Sequence, residues 1–247
     1  MFGSERQGWF GHPSIVLRPL TLQLSVILPI YNEERELERC LRQVLASVAP
    51  CEIIAVDDCS TDATPQILRR FQDSRLKIVR HEKNLGKGGA IHTALEHARG
   101  DVVIIQDADT EYDPRDYWAL LQALEMHADE RARKPHVVYG ARDLSKQPLV
   151  GNLGNRFLTI ATNLLCGTNL RDMETCYKLV PTELMRSLNL RSRGFEIEPE
   201  ITAKLARHGA HFLQVPVSYT PRQDKKLRRF RDGFKSLFAL IQYRFRD

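Results

Sequence analysis

Residues 101–114 read DVVIIQDADTEYDP. An apolar run, Val102 to Ile105, leads into Asp107, Asp109, Glu111 and Asp113. Acids at every second position of an extended chain project to one side and repel one another. The pattern therefore calls for a cation among them or for splaying into water. Hard divalent ions such as Mg2+ take one or two carboxylates together with substrate phosphates. An Asp-x-Asp pair at the tip of a buried strand thus reads as a place for a metal and a diphosphate, with Asp107 and Asp109 as ligands and Glu111 completing the set. Asp113, just before Pro114, reads instead as a helix N-cap. A second acidic pair, Asp57-Asp58 in VDDCSTD, suits hydrogen bonding to a ribose or base. Capping of the helix that follows needs neither of them, since Ser60, Thr61 or Asp62 can supply it.

These residues gain meaning from the elements that position them. LSVILPIY (24–31) is strand-like, and Leu37, Leu41, Val44, Leu45 and Val48 then recur at helical spacing. EIIAVDD (52–58) is a second strand, with Ile67, Leu68 and Phe71 helical after it. LKIVR (76–80) is a third, followed by the glycine-rich NLGKGGA and a helix to about Arg99. DVVIIQD is the fourth strand, a helix spans about Arg115 to Met126, and HVVYGAR (136–142) is the fifth strand. Near-continuous apolar strands alternating with helices predict an α/β fold with a mostly parallel central sheet flanked by helices. Ligands of such sheets bind at the carboxyl ends of the strands, where Tyr31-Asn32-Glu33, Asp57-Asp58 and Asp107-Asp109 all fall. After Arg142 the alternation loosens: GNRFLTIATNLLCG and EPEITAKLARHG read as helices, CYKLV as a strand, and HFLQVPVSY as an edge strand because of Pro216. NLGKGGA does not match the phosphate-binding P-loop, which needs Gly-x4-Gly-Lys-Ser/Thr.

The chain has 247 residues, 43% hydrophobic and 27% charged. No apolar stretch approaches the roughly 18 residues of a spanning helix, and the first twenty residues lack the apolar core of a secretory signal. They are expected to form an extension outside a domain covering 21–247. Five cysteines without a paired spacing and eight scattered histidines give neither a disulfide framework nor a zinc site. The net charge of +5 is uneven: residues 222–246 are dense in Lys and Arg against only Asp224 and Asp232. Such a tail attracts nucleic acid, anionic lipid or phosphate, and charge alone does not choose.

LPIYNEE, VDDCSTDAT, NLGKGGA and QDADTEYDP, in this order and spacing, resemble the GT-A glycosyltransferases of family 2. The later segments VVYGAR, GNRF, DMETCYKLV, FEIEPEITAKLAR and VPVSYTPR with its following lysines resemble the dolichol-phosphate mannose synthase and polyprenyl-phosphate glycosyltransferase branch. The resemblance spans about residues 24–240. It implies a GT-A fold and transfer of a hexose from a nucleotide sugar, GDP-mannose or UDP-glucose, to a polyprenyl phosphate. It places Pro29, Tyr31 and Glu33, with Val56 and Asp58, around the base and ribose. Asn32, Asp57, Gly86 and Lys87 fall on the same nucleotide-sugar side. Asp107, Ala108 and Asp109 would meet the diphosphate and a divalent cation, Mg2+ or Mn2+, with Glu111 where relatives carry a varied polar residue. Arg142 and Arg156 would face the phosphates of donor and acceptor, and Arg222 with Lys225 or Lys226 would close over the diphosphate. Asp109, Arg142 and Arg156 are the expected catalytic residues.

The mechanism implied follows from the acceptor. A sugar hydroxyl needs a general base, whereas a phosphate monoester is already anionic near pH 7. Alignment and stabilisation of the leaving diphosphate then suffice, in a single displacement that inverts the anomeric centre. Asp172 and Glu174 accordingly take structural or electrostatic roles. Phe230, Phe234, Leu237, Phe238, Ile241 and Phe245 share one helical face ringed by basic residues, a pattern of interfacial helices. The expectation is peripheral association with the cytoplasmic face of a membrane. Two competing readings are a family 2 enzyme acting on a saccharide hydroxyl and a nucleic-acid-binding protein using the basic tail. Against the second, no RNA- or DNA-binding signature occurs, and strand-tip acids repel phosphates; nucleic acid is not an expected partner.

Overall fold

The computed structural model describes residues 20–47, 50–127, 134–146, 149–222 and 229–246. The expected extension before residue 20, Lys225 and Lys226 lie outside the described residues. The first half runs β1 (Leu24–Ile30), α1 (Leu37–Ala46), β2 (Pro50–Asp57), α2 (Thr64–Leu68), β3 (Leu76–Arg80), α3 (Gly86–His97), β4 (Val102–Ile105), α4 (Tyr117–Met126) and β5 (His136–Arg142). The second half adds α5 (Leu149–Cys166), β6 (Lys178–Pro181), α6 (Thr182–Ser187), α7 (Ile197–Arg207), β7 (His211–Val217) and α8 (Arg229–Phe245).

One seven-stranded sheet has the order β3-β2-β1-β4-β6-β5-β7. The four strands from β3 to β4 are parallel. The near-continuous apolar strands behave as expected of a sheet covered on both faces: Val26, Ile27, Leu28, Ile53, Ile54, Val103 and Ile104 are all fully buried. The chain steps outward from β1 to β2 and β3, then returns to place β4 on the other side of β1. That reversal leaves a crevice beyond the carboxyl ends of β1 and β4.

The expected run of five parallel strands needs one amendment. β6 inserts between β4 and β5, antiparallel to both, with Val103 opposite Val180 and Val138 opposite Leu179. Its Leu179 and Val180 fill the space between two strands that run the same way. β5 pairs in parallel with β7, whose exposed Pro216 sits at the sheet edge, where a missing N–H does least harm.

The glycine-rich segment is helix rather than loop. α3 starts at Gly86, with φ of +81°, and Gly88 and Gly89 lie in its first turn. A side chain at Gly88 would strike the Ser192 carbonyl, and the Gly88 N–H donates to the Arg193 carbonyl at 2.7 Å. These glycines let the segment before α7 lie directly on the helix start. Asp113 caps as expected, accepting from the Arg115 N–H above a short 3-10 turn at Pro114–Asp116. α8 packs across α5 and α7 through a small apolar cluster of Ala203, Ala239, Leu240 and Tyr243 with Ala161 and Leu165.

Candidate active site

A cavity of about 460 Å3 lies at the crevice. β1 ends in Pro29, Tyr31 and Glu33 on its wall; β2 supplies Asp58, and the start of α3 supplies Gly86 and Lys87. The chain leaving β4 supplies Asp107, Ala108, Asp109 and Glu111. Two residues from distant sequence close the ring: Phe195 before α7 and Arg222 after β7. Eleven of the positions singled out from sequence therefore converge.

The cations demanded by the alternating acids are present as side chains. Lys87 Nζ stands 2.6 Å from Asp107 Oδ1 and 2.9 Å from Glu198 Oε1. Arg222 reaches Glu33 Oε2 at 2.8 Å and Asp109 Oδ2 at 3.3 Å. Even so, burial, with the charges of Asp107 and Glu111, pushes the Asp109 carboxyl up to about 7, against the pull of the Glu111 N–H and Arg222. Two partly shielded carboxylates side by side, one resisting ionisation, suit a hard cation whose remaining ligands are phosphate oxygens. Asp107 and Asp109 fit that requirement. Glu111, on the same wall, is engaged by other partners in this structure: Tyr219 Oη donates to its Oε2 at 2.9 Å and the Arg222 N–H to its Oε1 at 2.7 Å. Among the described residues no three acids, histidines or cysteines form a closed metal cluster.

Other acids serve the scaffold that shapes the cavity. Asp58 Oδ1 accepts from the Leu85 N–H and Oδ2 from the Gly86 N–H, both at 2.7 Å, while His81 Nδ1 lies 2.7 Å from Oδ1. With the Gly88 and Gly89 N–H groups both directed to the Arg193 carbonyl, the start of α3 already has acceptors for four of its amides. Asp57 is buried; its Oδ1 accepts from the Ser60 N–H at 2.9 Å, and it faces Arg80 rather than the cavity. Val56 is fully buried in the sheet. Asn32, with φ of 52°, ties the β1 end to the β2 end by accepting from the Thr61 N–H at 2.8 Å. Asn32, Val56 and Asp57 thus shape the cavity from behind and do not line it.

Arg142, expected to face a phosphate, is turned to a carboxylate in this structure. Its Nε and Nη2 meet the Asp172 carboxylate at 2.5 and 2.8 Å, and its guanidinium lies 5.0 Å from the centre of the Tyr219 ring. Asn155 Nδ2 donates to the same Asp172 at 3.1 Å. This buried fork joins β5, α5 and the loop before β6, and it leaves the guanidinium off the cavity wall. Arg156 is exposed on α5 and is likewise not part of the wall.

Sequence reading overlooked the layer beneath Lys87. Glu198 Oε2 meets Lys178 Nζ at 2.5 Å, and Lys178, fully buried, also donates to the Thr175 carbonyl. Burial opposes ionisation of Glu198, but Lys178 and Lys87 outweigh it and hold its pKa down to about 2. The available signal was a lysine inside the otherwise apolar CYKLV strand, since a charge there needs a buried partner. Glu174, by contrast, has one oxygen shielded and without a partner, and burial pushes its carboxyl up to about 7. Phe195 gave no signal, being one aromatic among many.

The model for the family described as Glycosyl transferase family 2 matches residues 25–183. The chain is 27% identical over 225 residues to glycosyltransferase AglD of Haloferax volcanii, covering 85% of this chain and 35% of that protein, so it spans about a third of that relative. It is 25% identical over 215 residues to the undecaprenyl-phosphate mannosyltransferase of Micrococcus luteus, covering 82% of this chain and 85% of that one. Among solved structures, glucosyl-3-phosphoglycerate synthase of Mycobacterium tuberculosis, in complex with Mn2+, UDP and glucosyl-3-phosphoglycerate, superposes with a TM-score of 0.70 at 20% identity. That superposition covers 91% of this chain and 80% of the other. The architecture is the GT-A fold.

Proposed function

This chain belongs to glycosyl transferase family 2, and from that premise we propose that it moves a hexose from a nucleoside-diphosphate sugar to a polyprenyl phosphate. The observation behind this reading is the ring of Asp107, Asp109, Lys87 and Arg222 around one cavity at the sheet's reversal point. Acids and cations interleaved at such a place suit a ligand that brings both a diphosphate and a divalent ion. The printed name of the Micrococcus luteus relative supports the acceptor class.

In this reading Pro29 and Tyr31 receive the nucleoside, and Asp58 braces the wall beside them through the start of α3. Asp107 and Asp109 hold Mg2+ or Mn2+, which when bound neutralises charge on the diphosphate. Lys87 and Arg222 give up part of their hold on Asp107 and Asp109 to pair with phosphate oxygens, and so stabilise the leaving group. The attacking phosphate oxygen is anionic without help from a base, so the protein's task is alignment behind the anomeric carbon and exclusion of water. A single displacement inverts that centre. Arg156, on the exposed side of α5, is assigned to the approaching acceptor phosphate.

Transfer to a saccharide hydroxyl has less support, because the acids that would act as base are poorly placed. Asp172 is held by Arg142 and Asn155, and neither it nor Glu174 lines the cavity. A thermal-shift panel of GDP- and UDP-sugars with Mg2+ or Mn2+ tests the donor half. A matched sugar nucleotide and metal raise the midpoint together by mass action. No shift with any pair, at concentrations that shift a known family member, contradicts the reading.

A further inference from the structure

A charge held inside a protein needs a partner of opposite sign, and stripping that partner away is costly. Four charges alternate in one row that runs from the core to the cavity: Lys178, Glu198, Lys87 and Asp107. Lys178 Nζ meets Glu198 Oε2 at 2.5 Å, while Lys87 Nζ lies between Glu198 Oε1 at 2.9 Å and Asp107 Oδ1 at 2.6 Å. Side-chain exposure rises along the row, from 0% at Lys178 and 5% at Glu198 to 11% at Lys87 and 33% at Asp107. The deep end is fixed. Lys178 also donates to the Thr175 carbonyl, and the centre of the Tyr139 ring lies 5.2 Å from its Nζ. Glu198 sits in the first turn of α7, where the helix dipole favours an acid. Two residues on, Glu200 accepts from the Arg191 and Ser192 N–H groups, both at 2.7 Å, and so pins the chain leading into α7. Of the four, Lys87 and Asp107 line the cavity.

Such a row has a property that a single ion pair lacks. Each inner member has two partners, so the row can give up its outer end without stranding a buried charge. We propose that Glu198 and Lys178 are positioning residues that let Asp107 pass from Lys87 to a divalent cation. The inference rests on the metal role given to Asp107 in the proposed function. As Asp107 turns to the cation, Lys87 keeps Glu198; as Lys87 turns to a diphosphate oxygen, Glu198 keeps Lys178. Charge supports the same division of labour. The four members are neutral together, and without Asp107 the other three carry one positive charge, the sign that a diphosphate needs. If Lys87 had Asp107 alone, cation binding would leave a nearly buried ammonium unpaired and facing a second cation. The Phe195 ring, centred 5.9 Å from Lys87 Nζ, offers only a π face in compensation. Glu198 is therefore what keeps Lys87 from competing with the metal.

Uptake of Mn2+ alone by the full chain, followed by electron paramagnetic resonance, tests this without turnover. Glu198→Gln with Lys178→Met removes one charge of each sign and leaves Lys87 only Asp107 to hold. Mn2+ affinity should then fall about tenfold, because the tightened pair competes for the carboxylate. Adding Lys87→Met to that pair removes the competitor and should return the affinity to the wild-type value or above it. A site that is merely loosened behaves otherwise, binding weakly in both variants. Lys178→Met by itself should act in the opposite sense and raise the affinity several-fold, since Glu198 then holds Lys87 alone and draws it from Asp107. Where circular dichroism shows that one variant fails to fold, the opposite shift in the other still decides. Unchanged affinity in the paired variant, no recovery on adding Lys87→Met, or a wild type that takes up no Mn2+ overturns the proposal. The wider reading is judged separately. A midpoint shift with a sugar nucleotide and metal, beside unaltered Mn2+ uptake in the variants, sinks the positioning role alone. The expected Mn2+ pattern without a shift for any sugar nucleotide sinks the transferase assignment alone.

Discussion

At the scale of single residues, some charges line the cavity and others pair behind it, and sequence shows the first kind better than the second. Asp107 and Asp109 could be placed at the cavity because alternating acids at a strand tip have no cheap structural use. The partner of Arg142 was not legible for a converse reason: an arginine after a strand looks the same whether it faces a ligand or an unseen carboxylate 30 positions away. Its present pairing predicts that Arg142→Ala leaves Asp172 buried and underpaired and costs about 3 kcal/mol of stability, with donor affinity nearly unchanged. Urea unfolding and a donor titration check this; a large loss of donor affinity in a stable protein restores the phosphate role. Glu174 makes a pH prediction. Its carboxyl is raised from 4.5 to about 7, so the folded state holds its proton more tightly than the unfolded chain. That contribution is fully present below about pH 4.5 and is lost as pH rises toward 7. Glu174→Gln should therefore flatten the stability profile between those limits and stabilise the protein at pH 8 by about 2–3 kcal/mol. An unchanged slope contradicts it.

At the scale of elements, the strands and most helices could be read from periodicity, because a sheet covered on both faces imposes unbroken apolar runs. What periodicity does not contain is pairing. The antiparallel insertion of β6 between β4 and β5 is set by contacts of high sequence separation, and nothing in CYKLV states its direction. The start of α3 was obscured for another reason: glycines that signal a turn were required by the close passage of residues 192–194. Gly88→Ala therefore should cost about 1–3 kcal/mol, since the added methyl meets backbone rather than a movable side chain. The midpoint of thermal unfolding reads this directly. If the midpoint is unchanged, the 192–194 segment is not held against α3, and the floor of the cavity, including Phe195, is looser than described.

At the scale of the whole molecule, one end of the sheet gathers the chemistry, and α5 and α8 gather the exposed apolar surface. Convergence of strand-tip residues on one crevice was legible because the fold class fixes where strand ends meet. Arg222 and Phe195 joined through tertiary folding, from 189 positions beyond Glu33 in the first case. In the proposed function this assembly transfers a hexose to a lipid phosphate. The most direct measurement supplies GDP-mannose or UDP-glucose with Mg2+ and a polyprenyl phosphate, and determines the product's anomeric configuration by NMR. A lipid-linked sugar of inverted configuration is expected, with loss of product in EDTA and a fall of about a hundredfold or more in Asp109→Asn. A retained configuration, full activity of Asp109→Asn in EDTA, or sugar transferred only to free glycans would contradict it.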